Sequence, residues 1–134
     1  MTDAPSNPPK HGAVLFACDL PRVAAFYREL LGMTQTVTER RLIVLESASY
    51  QLVIHGIAKQ IADRMDITTP PKRRVDLPVK LVFAVHSLSE ARVAAVALGG
   101  GLDAVSGQFS ARGFTACDGF DPEGNVVQFR QSAH

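Results

Sequence analysis

The chain lacks any long apolar run. None of its hydrophobic stretches approaches the roughly 20 residues needed to span a bilayer, so no membrane span is expected. It also lacks net charge, at +1 near neutrality, and so has no global field to draw nucleic acid or an acidic membrane surface. Cysteine is scarce. Cys18 and Cys117 lie inside apolar runs without CxxC spacing, so neither a disulfide framework nor a thiolate metal site is expected. The opening "MTDAPSNPPKHG" has no apolar signal core, which makes a cytoplasmic location with reduced thiols the default expectation. No nucleophile triad is visible either, since Ser47, Ser49, Ser87 and Ser89 fall in turns or helix caps.

What remains is an ordinary globular composition, 46% hydrophobic and 20% charged over 134 residues. A chain of this length makes one domain and needs no covalent staples. Residues 1–10, with Pro5, Pro8 and Pro9, read as a disordered lead-in. "AVLFAC" (13–18) then reads as a buried strand. Asp19 is an N-cap, Pro21 suits a first helical turn, and Leu20, Val23, Ala24, Tyr27, Leu30 and Leu31 recur at helical spacing before Gly32 stops the helix. Three short strands follow at 33–38, 41–47 and 50–56.

The second half repeats this order. A strand at 80–86 leads into a helix at 87–100 that opens with a capping box, Ser87 with Glu90. Strands are expected within 102–110, 113–119 and 125–131. One constant shift lays Val14 on Val82, Leu15 on Phe83 and Leu20 on Leu88. The chain thus reads as an internal duplication: module one at 11–56, a linker at 57–78 and module two at 79–134. In the linker, Ile57, Ile61, Ala62 and Met65 suggest a short amphipathic helix, followed by Pro70-Pro71 and the basic run Lys72-Arg73-Arg74. That segment is either a solvated connector or a lid whose cations meet an anionic ligand.

Two βαβββ units, "DLPRVAAFYRELLGM" after the first strand, and "DGFDPEGNVVQF" near the end together resemble the vicinal oxygen chelate superfamily. This group includes glyoxalase I, extradiol dioxygenases and bleomycin-resistance proteins. The resemblance runs from about residue 11 to 131 and implies an α+β fold. In that fold, paired modules form a concave mixed sheet with helices outside and a cavity between modules, in a chain expected to form a homodimer. Where such proteins bind metal, each module gives one ligand from its first strand and one from its last.

Carried onto this chain, that pattern falls on Gly12, His55, Lys80 and Gln128. Gly12 has no donor, and His11 is one residue off, on the opposite strand face. His55 can ligate a divalent ion or hydrogen-bond a ligand. Lys80 is a cation where a ligand is wanted, and Gln128 offers an uncharged amide. A catalytic divalent site wants about three protein ligands, so the metal site is read as degenerate, with no cofactor.

If the strand faces run as the resemblance implies, Val14, Phe16, Cys18, Gln51, Val53, His55, Lys80, Val82, Ala84, Val126 and Gln128 line the cup. They make either an apolar pocket with a few polar groups or a closed core with no ligand. Lys80 either pairs with a bound carboxylate or phenolate or reaches out to water. The expectation is a metal-free protein that binds a small apolar or aromatic compound, anionic in one variant. The rival is a metal-dependent lyase, isomerase or extradiol-type dioxygenase using His55, with His11 in a shifted register.

Overall fold

The computed structural model describes residues 8–133. The first seven positions of the expected lead-in lie outside that range. Lys10, at its end, is held by Glu46 at 3.2 Å and by the Ser47 carbonyl at 2.8 Å. The chain then forms β1 (His11–Ala17), α1 (Leu20–Leu31), β2 (Thr34–Glu39), β3 (Leu42–Glu46) and β4 (Tyr50–Gly56). The last strand returns beside the first, giving a sheet ordered β1-β4-β3-β2 with β1 and β4 parallel.

After a single helical turn, α2 (Lys59–Ala62), come β5 (Leu81–Ala84), α3 (Leu88–Ala97), β6 (Gly101–Leu102), β7 (Phe109–Ala111), β8 (Phe114–Phe120) and β9 (Val126–Ser132). They form a second sheet ordered β5-β9-β8-β6, with β7 on β8. The fold is α+β, built of paired βαβββ units. Among the described residues no helix is long and apolar enough to cross a membrane.

The helix signals act as expected. The Asp19 carboxylate accepts from the Arg22 N–H, and Gly32 takes a left-handed φ of 64° to end α1. Ser87 Oγ accepts from the Glu90 N–H to start α3. Three segments differ from the sequence reading. The helix expected from Ile57 to Met65 is one turn, because Asp63 to Met65 close on tight local bonds. The single strand expected within 102–110 splits at a 3-10 turn, Val105–Gly107, where Gly107 and Gln108 bond back to Ala104 and Val105. The strand expected from Lys80 to His86 covers only Leu81–Ala84.

One hydrophobic cluster underlies both sheets. The inward residues Leu45, Leu52, Ile54, Phe83, Cys117, Val127 and Phe129 meet Val23, Ala24, Phe26 and Tyr27 of α1 and Leu88 and Ala95 of α3. Val23 and Phe26 are fully buried, each worth roughly 1.5–3 kcal/mol over exposure. Tyr27, also fully buried, packs edge-on against Phe26 at 5.1 Å and tilted against Phe83 at 5.6 Å. Cys117 is buried, Cys18 is half-buried, and both are free.

The turn at Asp121–Asn125 docks module two onto module one. Asp121 accepts from the Tyr27 hydroxyl at 2.7 Å, from the backbone N–H of Glu123 and Asn125, and from the Asn125 amide. Burial pushes the Asp121 carboxyl up even against these donors. Glu123, itself buried, accepts from the N–H of Cys18 at 2.9 Å and of Asp19 at 2.7 Å. These are the orphan donors just ahead of α1. Gly124 takes φ 84°, and a Cβ there would lie 2.0 Å from the Lys72 carbonyl oxygen, so only glycine fits. Arg74 of the linker also bonds this turn, its N–H to the Gly124 carbonyl at 2.8 Å and its Nε to the Glu123 carbonyl at 3.1 Å, while Arg73 pairs with Asp103 just after β6. Most of the linker's other residues are exposed or half-buried.

Asp121→Ala strands a buried hydroxyl and an amide at once. Each unsatisfied buried group costs about 1–3 kcal/mol, so urea unfolding should show a loss of about 3 kcal/mol or more. Tyr27→Phe, which removes one donor and keeps the ring, should lose less than half of that.

Candidate functional site

Each sheet has one face on the common core and one turned away from it, and the candidate residues sit on the outer faces. In the first sheet the register pairs Gly12 with Gln51, Val14 with Val53 and Phe16 with His55. Opposed residues share a face. Ala13, Leu15 and Ala17 alternate to the core side, and His11 shares their parity. Val14 is 57% and Phe16 62% exposed. Phe16 and His55 stack, with ring centroids 5.9 Å apart and 23° between planes. Both line a cavity of about 650 Å³ beside the β2–β3 turn.

In the second sheet, Val82 pairs with Gln128 across β5 and β9, and Gln128 pairs with Asp118 across β9 and β8. Lys80 precedes β5 with the same parity as Val82. Its Nζ donates to Asp118 Oδ2 at 2.7 Å. Gln128 Nε2 donates to Asp118 Oδ1 at 3.1 Å, and Gln128 Oε1 accepts from Arg130 Nε at 2.8 Å. The Arg130 guanidinium lies 4.2 Å from the Phe114 ring centroid. A chain of side chains, Lys80–Asp118–Gln128–Arg130, thus crosses this face and ends on an aromatic ring.

Burial pushes the Asp118 carboxyl up, but the bonds from Lys80 and Gln128, with the Lys80 and Arg73 charges, outweigh it and hold the carboxyl below its ordinary value. Val82, 41% exposed, and Val126 flank the chain, and Ala84 is exposed at the end of β5.

The sequence-named residues therefore fall into two groups. Lys80, Val82, Val126 and Gln128 share the second sheet, and Val14, Phe16, Gln51, Val53 and His55 share the first. Among the described residues, no side-chain hydrogen bond or ring contact joins one group to the other. Asp118 and Arg130 complete the second group. Counting outward from the Asp121–Asn125 turn pairs Asp118 with Gln128, so the hairpin register was the available signal for Asp118.

The donor set does not fit a divalent ion. A Cβ on Gly12 would lie 1.9 Å from the Gln51 carbonyl oxygen, so no ligating side chain can stand there without moving β4. The second first-strand position holds an ammonium. The Gln128 oxygen, the last candidate donor of that module, is turned to Arg130. Among the described residues no three His, Cys, Asp or Glu side chains gather as a metal group.

No family model matches the chain, and no curated protein matches it. Solved structures do. The chain is similar to a glyoxalase/bleomycin resistance protein/dioxygenase family enzyme from Burkholderia phytofirmans, with 16% identity, TM-score 0.66, and coverage of 90% of this chain and 96% of that one. It is similar to a glyoxalase/bleomycin resistance protein from Albidiferax ferrireducens at 19% identity and TM-score 0.63, covering 91% and 96%. A lactoylglutathione lyase from Agrobacterium tumefaciens matches at 21% identity and TM-score 0.57, covering 92% and 95%. Identities of this size carry the fold, and the fold leaves chemistry open.

Because the folded Asp118 carboxyl sits below its unfolded value, its contribution to stability is complete above the unfolded pKa, roughly 4. That contribution is lost as pH falls through the folded value. In Lys80→Met the Asp118 carbon resonance should titrate at higher pH than in the wild type, and an unchanged titration would break the assigned pairing.

Proposed function

We propose that the chain is a metal-free binding protein for a small apolar or aromatic compound bearing an anionic group. One observation supports this reading: the Lys80 ammonium, at the position where the family resemblance would put a metal ligand, is held by Asp118 at 2.7 Å. The fixed positive charge on this face is supplied by the protein. An ammonium has three N–H donors, and Lys80 uses one on Asp118. Arg130 spends Nε on Gln128, and its two terminal nitrogens have no side-chain partner among the described residues. Both cations can meet a carboxylate or phenolate, beside the apolar surface of Val82, Val126 and Phe114. Gln51, Val14, Phe16 and His55 supply the other wall.

A second copy of the chain belongs to the proposal. β1 and β5 are edge strands, and Val14, Phe16 and Val82 lie open beside them. Covering such surface gains roughly 25 cal/mol per Å², and unpaired edges invite a partner. Setting the first-sheet face of one copy against the second-sheet face of another brings His55 and Phe16 opposite Lys80 and Gln128 and encloses the ligand. The free cysteines suit a reducing cytoplasm. The resistance protein among the structural neighbours suits this binding role. The lyase suits the rival reading, in which His55 joins a divalent ion with ligands from a shifted register.

Chelator-treated protein should bind an aromatic carboxylate such as naphthoate by calorimetry. Lys80→Met should weaken that binding about tenfold, or about 1.4 kcal/mol. Light scattering should give a dimer for the wild type and a monomer for Phe16→Asp. Equal affinity in Lys80→Met, or binding that appears only with added divalent ion, would refute the metal-free reading.

A further inference from the structure

We infer that the Arg40–Arg41 turn is a second oxyanion subsite, on the first sheet and apart from Lys80 and Arg130. It takes the carboxylate or phosphate of a planar aromatic compound whose ring lies on the Phe16–His55 pair. The inference rests on the outer-face binding proposed above and adds a second point of anion recognition and the orientation of the ring there.

β2 and β3 are joined by these two residues alone, between the paired Glu39 and Leu42. Two-residue hairpin turns favour Asn-Gly or a similar pair with positive φ. Among the described residues Arg112 is the one non-glycine with positive φ, so Arg40 and Arg41 do not use that geometry. Two adjacent cations at a tight turn repel each other. Both side chains are exposed, so neither is spent on packing the core.

Two cavities, of about 780 Å³ and 650 Å³, flank the turn, and Arg40, Arg41 and Ile57 are on the walls of both. The first adds Cys18 and Lys59, and the second adds Phe16, His55 and Leu42. Glu39 and Asp63 are the nearby carboxylates, and Lys59 holds Asp63 at 3.0 Å. Among the described residues neither Arg40 nor Arg41 has a side-chain hydrogen bond or ion pair, so both guanidinium forks are open. Such a fork matches carboxylate and phosphate oxygens alike. The near-parallel Phe16 and His55 rings offer a stacking surface on the same wall, with Leu42, Ile57 and Ile61 as its apolar border.

The test is amide chemical-shift mapping of the full-length protein with phenyl phosphate, benzoate, benzyl alcohol and inorganic phosphate. It is run on the wild type, on the Arg40→Ser/Arg41→Ser double variant and on Lys80→Met. Phenyl phosphate, benzoate or both should shift residues 40–42 and 55–58. The double variant should weaken that binding at least tenfold, and Lys80→Met should leave the shifts at 40–42 in place. Whichever aromatic anion binds tighter names the oxyanion.

Equal affinity for benzyl alcohol, or no loss in the double variant, overturns the oxyanion role while outer-face binding stands. Equal affinity for inorganic phosphate overturns the aromatic half. Absence of shifts on either sheet face, with every probe, overturns both this inference and the binding function.

Discussion

The buried carboxylates of Asp121 and Glu123 are the constraint on which the rest of the structure depends. They belong to one turn of module two, yet they accept bonds from Tyr27 and from the N–H groups of Cys18 and Asp19 in module one. Two sheets that share no strand are thereby fixed across a single core. The same turn starts β9, so it also sets which side chains of that strand leave the core. Val127 and Phe129 go into the core, and Val126, Gln128 and Arg130 take the other face, where Gln128 is buried under its neighbours. A one-residue slip would reverse the set. Gly124, against the Lys72 carbonyl, resists such a slip because no side chain fits there.

With parity fixed, the chemistry of the outer faces follows from residue type. In the second sheet Lys80 gives one of its donors to Asp118, and the available amide, Gln128, is shared between Asp118 and Arg130, so the two cations outnumber the one carboxylate. This is a satisfied polar chain with donors left over. In the first sheet Gly12 is needed for the close approach of β1 to β4, which removes a possible ligand for a structural reason. What remains there is an aromatic pair beside two arginines without a side-chain partner among the described residues. Charge on both faces is cationic, and surface around it is apolar, which is the combination an aromatic anion recognises.

Much of this fold was legible in the sequence, because its signals are local. Asp19, Gly32 and Ser87 mark helix ends through their own hydrogen bonds or dihedrals, and strand alternation put Val14, Phe16 and His55 on one face of a sheet. The site was legible only in part. Asp118 sits in "CDGF" as an ordinary charged residue, and its partner Lys80 is 38 positions away. Their meeting depends on sheet order, which no local pattern encodes. Arg40 fell between two expected strands and Arg41 opened the second of them, and the open cavities beside both depend on where α2 and the end of β4 come to lie. The strand expected within 102–110 failed for a similar reason: the Asp103 N–H still bonds Asp118 of β8, but the Asp103 carbonyl accepts from Arg92 of α3 and the chain then turns at Val105–Gly107.

Titration of the full-length, chelator-treated protein with Zn²⁺, Ni²⁺ and Mn²⁺ probes the central claim most directly. If Lys80 takes the place of a metal ligand, as proposed, the protein should bind none of the three stoichiometrically, and His55→Ala should give the same flat titration. One equivalent of ion bound by the wild type and lost in His55→Ala would contradict the account.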